Sequence, residues 1–410
     1  MSARQRAAVP AADARPSLEA LRSLEVVLTP ACNLRCEYCY QGPRPRGVMP
    51  REILRAAIST LAGSTRPDVT LAFHGGEPLL AFELLRAGVE QAGAAGPRVR
   101  FRLTTNGTLL DTERAAFLAD HRVRTRLSFD GVPAAQDHRA AFTFSRLDGL
   151  LDVLRHEQPA FFRDLLEIAI TLTAANLPSL AESVAYFLGK GVRSIRVSPR
   201  LTPDPHWSDG LLEELDRQLS QLRETSLEHW ARTGYVAVTF LRRPASPAAG
   251  RQRYRGWVCG IAAGTSLCVD VDGSVTTCSM LAPSCQGLPP GPLVERLGPL
   301  RLGHILDADL PRRVAGQEAV ARASGLFHRR ERKHSRLGPC RHCPSRWECT
   351  VCPLVAAYVP GNRDPDLVPD LPCAFNRVAA RHRALFPPQP SLVDVLKGRA
   401  SPLPPAAIGR

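Results

Sequence analysis

Leu24-Glu25-Val26-Val27-Leu28-Thr29 leads into Pro30-Ala31-Cys32-Asn33-Leu34-Arg35-Cys36-Glu37-Tyr38-Cys39, an apolar, β-branched run followed by three cysteines in a C-x3-C-x2-C spacing. The run predicts a buried strand, and the cysteines stand just past its C-terminal end. Further β-like runs occur at 69–74, 99–105, 123–129, 167–173 and 194–198. Amphipathic, helix-like stretches lie between them at 51–62, 79–92, 111–119, 144–155 and 177–188, and a last one follows at 209–230. This alternation predicts right-handed βαβ units and a parallel sheet buried on both faces. The expected fold class is α/β, a partial (β/α)6 TIM-like barrel of roughly three quarters of the usual eight units, followed by a small Cys-rich domain. In such sheets ligands sit beyond the C-terminal ends of the strands, so the loops after each strand carry the chemistry.

The chain has 410 residues with a hydrophobic fraction of 44%, enough for a full-sized core and more than one packed unit. Its apolar stretch around 165–177 is interrupted by Glu167, Thr171, Thr173 and Asn176 and falls short of the roughly 20 residues a membrane span needs. No membrane partner is expected. Arg4 and Arg6 are followed by Asp13, Arg15 and Pro16 rather than by an apolar segment, which argues against a signal peptide and for a cytoplasmic location. In that reducing compartment the 12 cysteines read first as metal ligands or catalysts. The net charge of +14 comes almost wholly from arginine, since lysine occurs only at 190, 333 and 397. It favours an acidic partner, but the basic run at 329–336 lacks interleaved aromatics, and no nucleic-acid site is expected.

Composition divides the chain into an N-terminal extension at 1–22, the barrel at 23–243, a Cys-rich domain at 250–380 and a Pro-rich tail at 381–410. A turn-rich linker, Pro244-Ala245-Ser246-Pro247, precedes the third part, which holds every cysteine after the first three. With few long apolar segments, that part is expected to depend on metal for its fold.

Structural zinc usually takes four protein ligands, whereas an iron–sulfur cluster held by three cysteines leaves one iron open. A zinc site completed by a distant His, or a cluster that only transfers electrons, would use Cys32, Cys36 and Cys39 equally. With Tyr38 directly before the third cysteine, the motif resembles the signature of the radical S-adenosylmethionine (SAM) superfamily. The resemblance implies a [4Fe–4S] cluster on Cys32, Cys36 and Cys39 whose open iron binds S-adenosylmethionine, and reductive cleavage to a 5′-deoxyadenosyl radical that abstracts hydrogen. His74-Gly75-Gly76-Glu77-Pro78, after the second strand, resembles the family's GGE motif, which holds the methionine amino group. Thr104-Thr105-Asn106-Gly107 and Ser128-Phe129-Asp130-Gly131 present polar groups at the next two strand ends. Arg139 matches the family's Asp-x-x-Arg pattern with one residue missing after Asp137; a surface ion pair with Asp137 is the rival role. The cofactor contacts implied are therefore Tyr38, Gly75, Gly76, Glu77, Thr105, Asn106, Ser128, Asp130 and Arg139, with Glu77 at a solvent-accessible strand end.

Cys340-x2-Cys343-x5-Cys349-x2-Cys352, with Cys373 beyond, reads from spacing as a zinc ribbon or a double cluster site. Before it lie Cys259, Cys268 and Cys278, the last following an Asp272-Gly273 hairpin signal. Together they resemble the SPASM extension of radical SAM enzymes, which holds two auxiliary [4Fe–4S] clusters. The resemblance implies one cluster on Cys259, Cys268, Cys278 and Cys352, and another on Cys340, Cys343, Cys349 and Cys373. Three clusters then use 11 of 12 cysteines and leave Cys285, which could replace Cys268 or act as a thiol. The family commonly has three residues before the last cysteine of the central group, where only Thr350 and Val351 stand here.

The auxiliary extension is associated with enzymes that modify peptides or proteins. The resemblance implies a maturase of a ribosomally made precursor peptide that forms an oxidative cross-link (C–C, C–O or C–S), with the clusters taking up the remaining electron. Epimerisation would instead call on Cys285 as hydrogen donor. An anaerobic sulfatase maturase, forming formylglycine, is a second reading; such enzymes carry Asp after the hairpin cysteine, where Ser279 stands here. A zinc-organised scaffold is a third. Expected partners are the precursor peptide, a separate leader-recognition protein, and a reductase, flavodoxin or ferredoxin as electron donor.

Overall fold

The computed structural model describes residues 18–42, 46–94, 99–244, 261, 264–325, 332–343, 346, 349 and 351–389. Cys259, the linker after Pro244, the first three residues of the basic run and the tail beyond 389 lie outside the described residues. Six parallel strands, β1 (Ser23–Thr29), β2 (Val69–Gly75), β3 (Val99–Thr105), β4 (Arg124–Ser128), β5 (Leu166–Leu172) and β6 (Ile195–Pro199), pair in chain order as a TIM-like partial barrel. Each lies within a residue or so of its predicted position.

Strand alternation shows how the sheet is used. Leu24, Val26, Leu28, Leu71, Phe73, Leu103, Leu127, Ile168 and Ile195 are buried in the main core. Helices Arg51–Ser59, Phe82–Ala94, Phe144–Glu157 and Leu180–Gly189 contribute residues such as Ile53, Leu85, Leu151 and Val184 to that core. The helix Thr112–Asp120 begins where the Asp111 side chain accepts from Arg114 N, satisfying an otherwise unpaired helix N–H. Intervening strand residues, Glu25, Thr70, Arg102, Arg126, Glu167 and Arg196, are half-buried or exposed. The expectation of a sheet buried on both faces is corrected: helices cover one face, and the inner face is polar. A doubly buried strand would be continuously apolar, whereas β3 to β6 alternate with period two; in β1 and β2 the alternation gives way to a run of buried residues.

The sheet continues past the barrel. β7 (Ser266–Val269) pairs parallel with β1, placing Cys268 opposite Glu25. β8 (Ser274–Thr276) runs antiparallel to β7, and β9 (Arg301–His304) antiparallel to β8. The turn between β7 and β8 uses Gly273 at φ +88°, a conformation that suits glycine, and Gly273 N donates to Asp270 O at 2.9 Å. The nine-stranded order is β9-β8-β7-β1-β2-β3-β4-β5-β6.

Helix Asp370–Arg383 returns to the barrel, adding Leu371, Phe375 and Val378 to the same core. His382 and Arg381 both contact Asp216 of helix Leu211–Thr233 at 3.0 Å. Strand pairing and the main core both run across the boundary expected near residue 244. β1 would otherwise present an unpaired edge beside the cysteine loop. No described helix is long and apolar enough to cross a membrane.

Candidate functional site

The loop bearing Cys32, Cys36 and Cys39 is anchored by backbone contacts at the end of β2. Gly76 N donates to Thr29 O and Glu77 N to Ala31 O, both at 2.8 Å. A Cβ on Gly75 would lie 2.2 Å from Thr29 O, and one on Gly76 2.3 Å from Ala31 O and 2.4 Å from Pro30 O. The two glycines thus make room for the chain that leads into Cys32, a closer demand on them than any ligand. Within the loop, Leu34 N lies 3.4 Å from Cys32 Sγ, and Cys39 N donates to Cys36 O at 3.1 Å.

Glu77 departs from expectation. It is fully buried, and its carboxylate accepts from Thr105 Oγ1 at 2.6 Å, Asn106 N at 2.7 Å and Leu79 N at 3.0 Å. It is not a solvent-open acceptor at a strand end; it fastens the end of β3 to the end of β2. Burial pushes its carboxyl upward, against the hydrogen bonds from Thr105, Asn106 and Leu79. Asn106, so placed, donates through Nδ2 to Asn33 Oδ1 at 2.8 Å and lies 3.8 Å from Cys32 Sγ. Thr105 is tied to the cysteine loop through Glu77, and Asn106, held by Glu77, touches that loop directly.

At the ends of β4 and β5, Asp130 is the centre of a buried polar network. It accepts from Tyr38 Oη on Oδ2, and from Arg139 Nη2 and Thr171 N on Oδ1, both at 2.8 Å. Its backbone N donates to the buried Gln136 side chain at 2.9 Å. The Arg139 guanidinium lies 5.3 Å from the Tyr38 ring centroid. The rival pairing of Arg139 with Asp137 is corrected: its partner is Asp130. Burial works against the Arg139 charge, but Asp130 and Tyr38 hold its pKa above the ordinary range. Burial likewise raises Tyr38. Among the described residues Arg139 Nε is buried without a hydrogen-bond partner, leaving one donor for a ligand. Ser128, half-buried at the end of β4, stands on the polar face of the same sheet.

The three loop cysteines lie within one another's electrostatic influence. Burial pushes the Cys36 thiol up, Arg139 draws it down, and Cys39, Cys32 and Asp130 push it up again. This donor set fits three ligands of an iron–sulfur cluster, with the Arg139 guanidinium nearby to offset thiolate charge.

The later cysteines form two groups. Cys340, Cys343, Cys349 and Cys373 line one cavity, together with Lys333 and Arg377. Burial pushes Cys340 up to about 12, and Cys349, Cys373 and Cys343 add to it. Ser335 Oγ donates to Cys373 Sγ at 3.0 Å. Four thiols around a cavity with two cations suit an anionic cluster. In the other group, Cys268 packs with Cys285, Val27 and Ala282, and burial raises its thiol, followed by Glu25 and Cys278. Cys278 and Cys352 both pack against the core around Tyr358. Cys285 thus joins the group in which Cys259 was expected. Among the described residues no three His, Cys, Asp or Glu side chains close on a single ion. A four-iron cluster, whose ligands surround a larger body, does not require that spacing.

Sequence reasoning passed over Glu25. Its Oε2 accepts from Ser279 N at 2.9 Å, and its Oε1 lies 4.0 Å from His74 Nε2. A single acid at an inward position of an otherwise apolar strand was the available signal.

Residues 26–191 match the radical SAM superfamily. The cysteine-type anaerobic sulfatase-maturating enzyme of Clostridium perfringens is 31% identical over 122 residues, 26% of this chain and 33% of that protein. A GTP 3′,8-cyclase of Mycobacterium ulcerans is 40% identical over 138 residues, 32% of this chain and 36% of that one. The chain spans about a third of the length of either relative. Among solved structures, anSMEcpe with bound AdoMet and Kp18Cys peptide superposes with a TM-score of 0.66 at 19% identity, covering 88% of this chain and 96% of that one. Streptococcus suis SuiB bound to S-adenosylmethionine gives 0.54 at 14% identity, covering 86% and 77%. At these identities the superpositions establish the fold.

Proposed function

We propose that this chain, a radical SAM enzyme by the domain at residues 26–191, matures a ribosomally made peptide by removing hydrogen from one of its residues and closing an oxidative cross-link. The observation that supports this most is the second cysteine region, where four thiols line one cavity and Cys268, Cys278, Cys285 and Cys352 form a second group. The fold adds weight, since solved structures with it hold a Kp18Cys peptide or the precursor peptide SuiA.

When bound, the cluster on Cys32, Cys36 and Cys39 would supply the electron that cleaves S-adenosylmethionine, and the later clusters would accept the electron left on the substrate. The protein's own part is orientation. Glu77 fixes Asn106 against the cysteine loop, and Asp130 fixes Tyr38 and Arg139 beside Cys36. A cross-link that loses two hydrogens must also release a proton. Glu25, held against the backbone after Cys278 and facing His74, is the carboxylate placed to receive it. Cys32, Cys36 and Cys39 would hold the SAM-binding cluster, and Cys340, Cys343, Cys349 and Cys373 one auxiliary cluster. Cys268, Cys278 and Cys352, with Cys259 or Cys285, would hold the other. A ferredoxin or flavodoxin would supply the electron.

A sulfatase-maturase-like activity is the second reading, favoured by the Clostridium perfringens relative. Ser279 in place of an acid after Cys278 weighs against it, although Glu25 brings a carboxylate to that place from β1. The test is anaerobic reconstitution with iron, sulfide and S-adenosylmethionine, followed by mass spectrometry of synthetic peptides encoded in neighbouring reading frames. A loss of two hydrogens supports cross-linking. Conversion of a Cys or Ser to an aldehyde supports the second reading, and altered GTP with unaltered peptides rejects both.

A further inference from the structure

The polar inner face of the barrel carries an excess of positive charge that the site described above does not use. Arg102 on β3 is in direct register with Arg124 on β4, and Arg126 on β4 with Glu167 on β5. Arg196 on β6 stands one strand further along, opposite Ala169. Period-two alternation puts all five side chains on the side away from the helices.

Glu167 is the acid among them. Its Oε1 accepts from Arg126 Nε at 2.7 Å and from Arg196 Nε at 3.1 Å. Arg242, nearby, is committed to carbonyls, donating to Val236 O at 2.8 Å and Ala237 O at 3.1 Å. Arg100 pairs with Asp68 at 3.0 Å. Among the described residues, Arg102 and Arg124 make neither an ion pair nor a side-chain hydrogen bond, and both are exposed. Like charges directly opposite on adjacent strands repel, so this pair costs stability until an anion lies between them.

We propose that Arg102 and Arg124 form a docking site for carboxylate side chains of the peptide substrate, holding an acidic segment on the inner wall below the cysteine loop. The proposal rests on the peptide reading above. Charge complementarity argues for the occupant. Two uncommitted guanidinium groups suit one or two carboxylates, each able to accept a paired fork, whereas a nucleoside triphosphate would call for more. Geometry agrees. Neighbouring strands lie about 4.8 Å apart and alternate residues of a strand roughly 6.6 Å apart, so side chains on one face of an extended peptide can reach this wall. Arg124 opens β4 and Arg102 sits midway along β3, so the site lies away from the strand ends that lead to Cys32, Cys36 and Cys39. An acidic residue bound there would place a residue further along the peptide at the cofactor.

The test uses the full-length reconstituted enzyme with S-adenosylmethionine and a fluorescein-labelled synthetic decapeptide of alternating Glu and Gly, beside the same peptide with Gln for Glu. Anisotropy titration should show at least tenfold tighter binding of the Glu peptide at low salt. That preference should disappear in Arg102→Gln/Arg124→Gln and persist in part in Arg102→Lys/Arg124→Lys, with the Gln double variant melting no lower than wild type because the repulsion between the two charges is gone. Equal affinity for the two peptides, or a preference that survives the Gln double variant, overturns the site. Displacement of the Glu peptide by GTP, with GTP binding lost in the same variant, assigns the arginines to phosphate and overturns the carboxylate assignment. Failure of the peptide-maturase reading shows separately, as unaltered mass in every neighbouring-frame peptide while the Glu preference is intact.

Discussion

Arg139 Nη2 lies 2.8 Å from Asp130 Oδ1, nine residues earlier in the chain, in a pair almost wholly removed from solvent. Because Tyr38 and Thr171 share the same carboxylate, this contact fixes the cysteine loop against β4 and β5. Removing one partner of a buried pair strands the other charge. Asp130→Ala should therefore lower unfolding free energy by about 3–5 kcal/mol in denaturant titration. Asp137→Ala, at an exposed position, should change it by less than about 0.5 kcal/mol. Comparable effects from the two changes would remove Asp130 from its central place.

Gly76→Ala should displace the chain leading to Cys32, since the new methyl would overlap two carbonyl oxygens rather than a movable side chain. The expected result is loss of S-adenosylmethionine cleavage and of iron bound at the first loop. Gly149→Ala is the control. It lies in helix Phe144–Glu157 with open space around it, and should raise stability by roughly 0.5–1 kcal/mol.

Glu25→Gln keeps the shape of the contact with Ser279 N but removes the proton acceptor. Deoxyadenosine should still form while cross-linked peptide falls at least tenfold, so the ratio of the two products is the measurement. An unchanged ratio would leave Glu25 with a purely structural part.

Acid should loosen the return of helix Asp370–Arg383 onto the barrel. Burial of Asp216 raises its carboxyl, but hydrogen bonds from His382 and Arg381 outweigh it and hold the group below the ordinary carboxylate range. A depressed folded pKa means stability present above the unfolded value, about 3.9, and lost as pH falls through the folded one. Acid unfolding of wild type should therefore show a component below about pH 4 that Asp216→Asn lacks. Superimposable acid curves would count against the contact.

Much of this architecture was legible in the chain because each barrel strand is a short apolar run, and the first four are closed by loops that carry Cys, Gly or Asn. The three-cysteine loop and Gly75-Gly76 were legible for the same reason, being local. What escaped was long-range. Glu77 looked like an exposed acceptor because nothing local shows that Thr105 and Asn106 fold back onto it. Arg139 has an acid two residues away and takes one nine residues away, a choice made by burial. The continuation of the sheet through Ser266–Val269 was hidden by the compositional break near residue 244, since strand pairing leaves no trace in composition. The short helix Pro159–Asp164 was not expected, since six residues are too few to show a helical period.

The central claim, that Cys32, Cys36 and Cys39 hold the group that cleaves S-adenosylmethionine, is tested most directly by deoxyadenosine formation. Wild type and the triple variant Cys32→Ala/Cys36→Ala/Cys39→Ala should be reconstituted anaerobically, reduced with dithionite and assayed by chromatography, with iron counted per chain. Wild type should release 5′-deoxyadenosine. The triple variant should release none while keeping the iron bound by the later cysteines, which line a different cavity. Undiminished deoxyadenosine from the triple variant, or none from a wild-type protein with all its iron, would contradict the account.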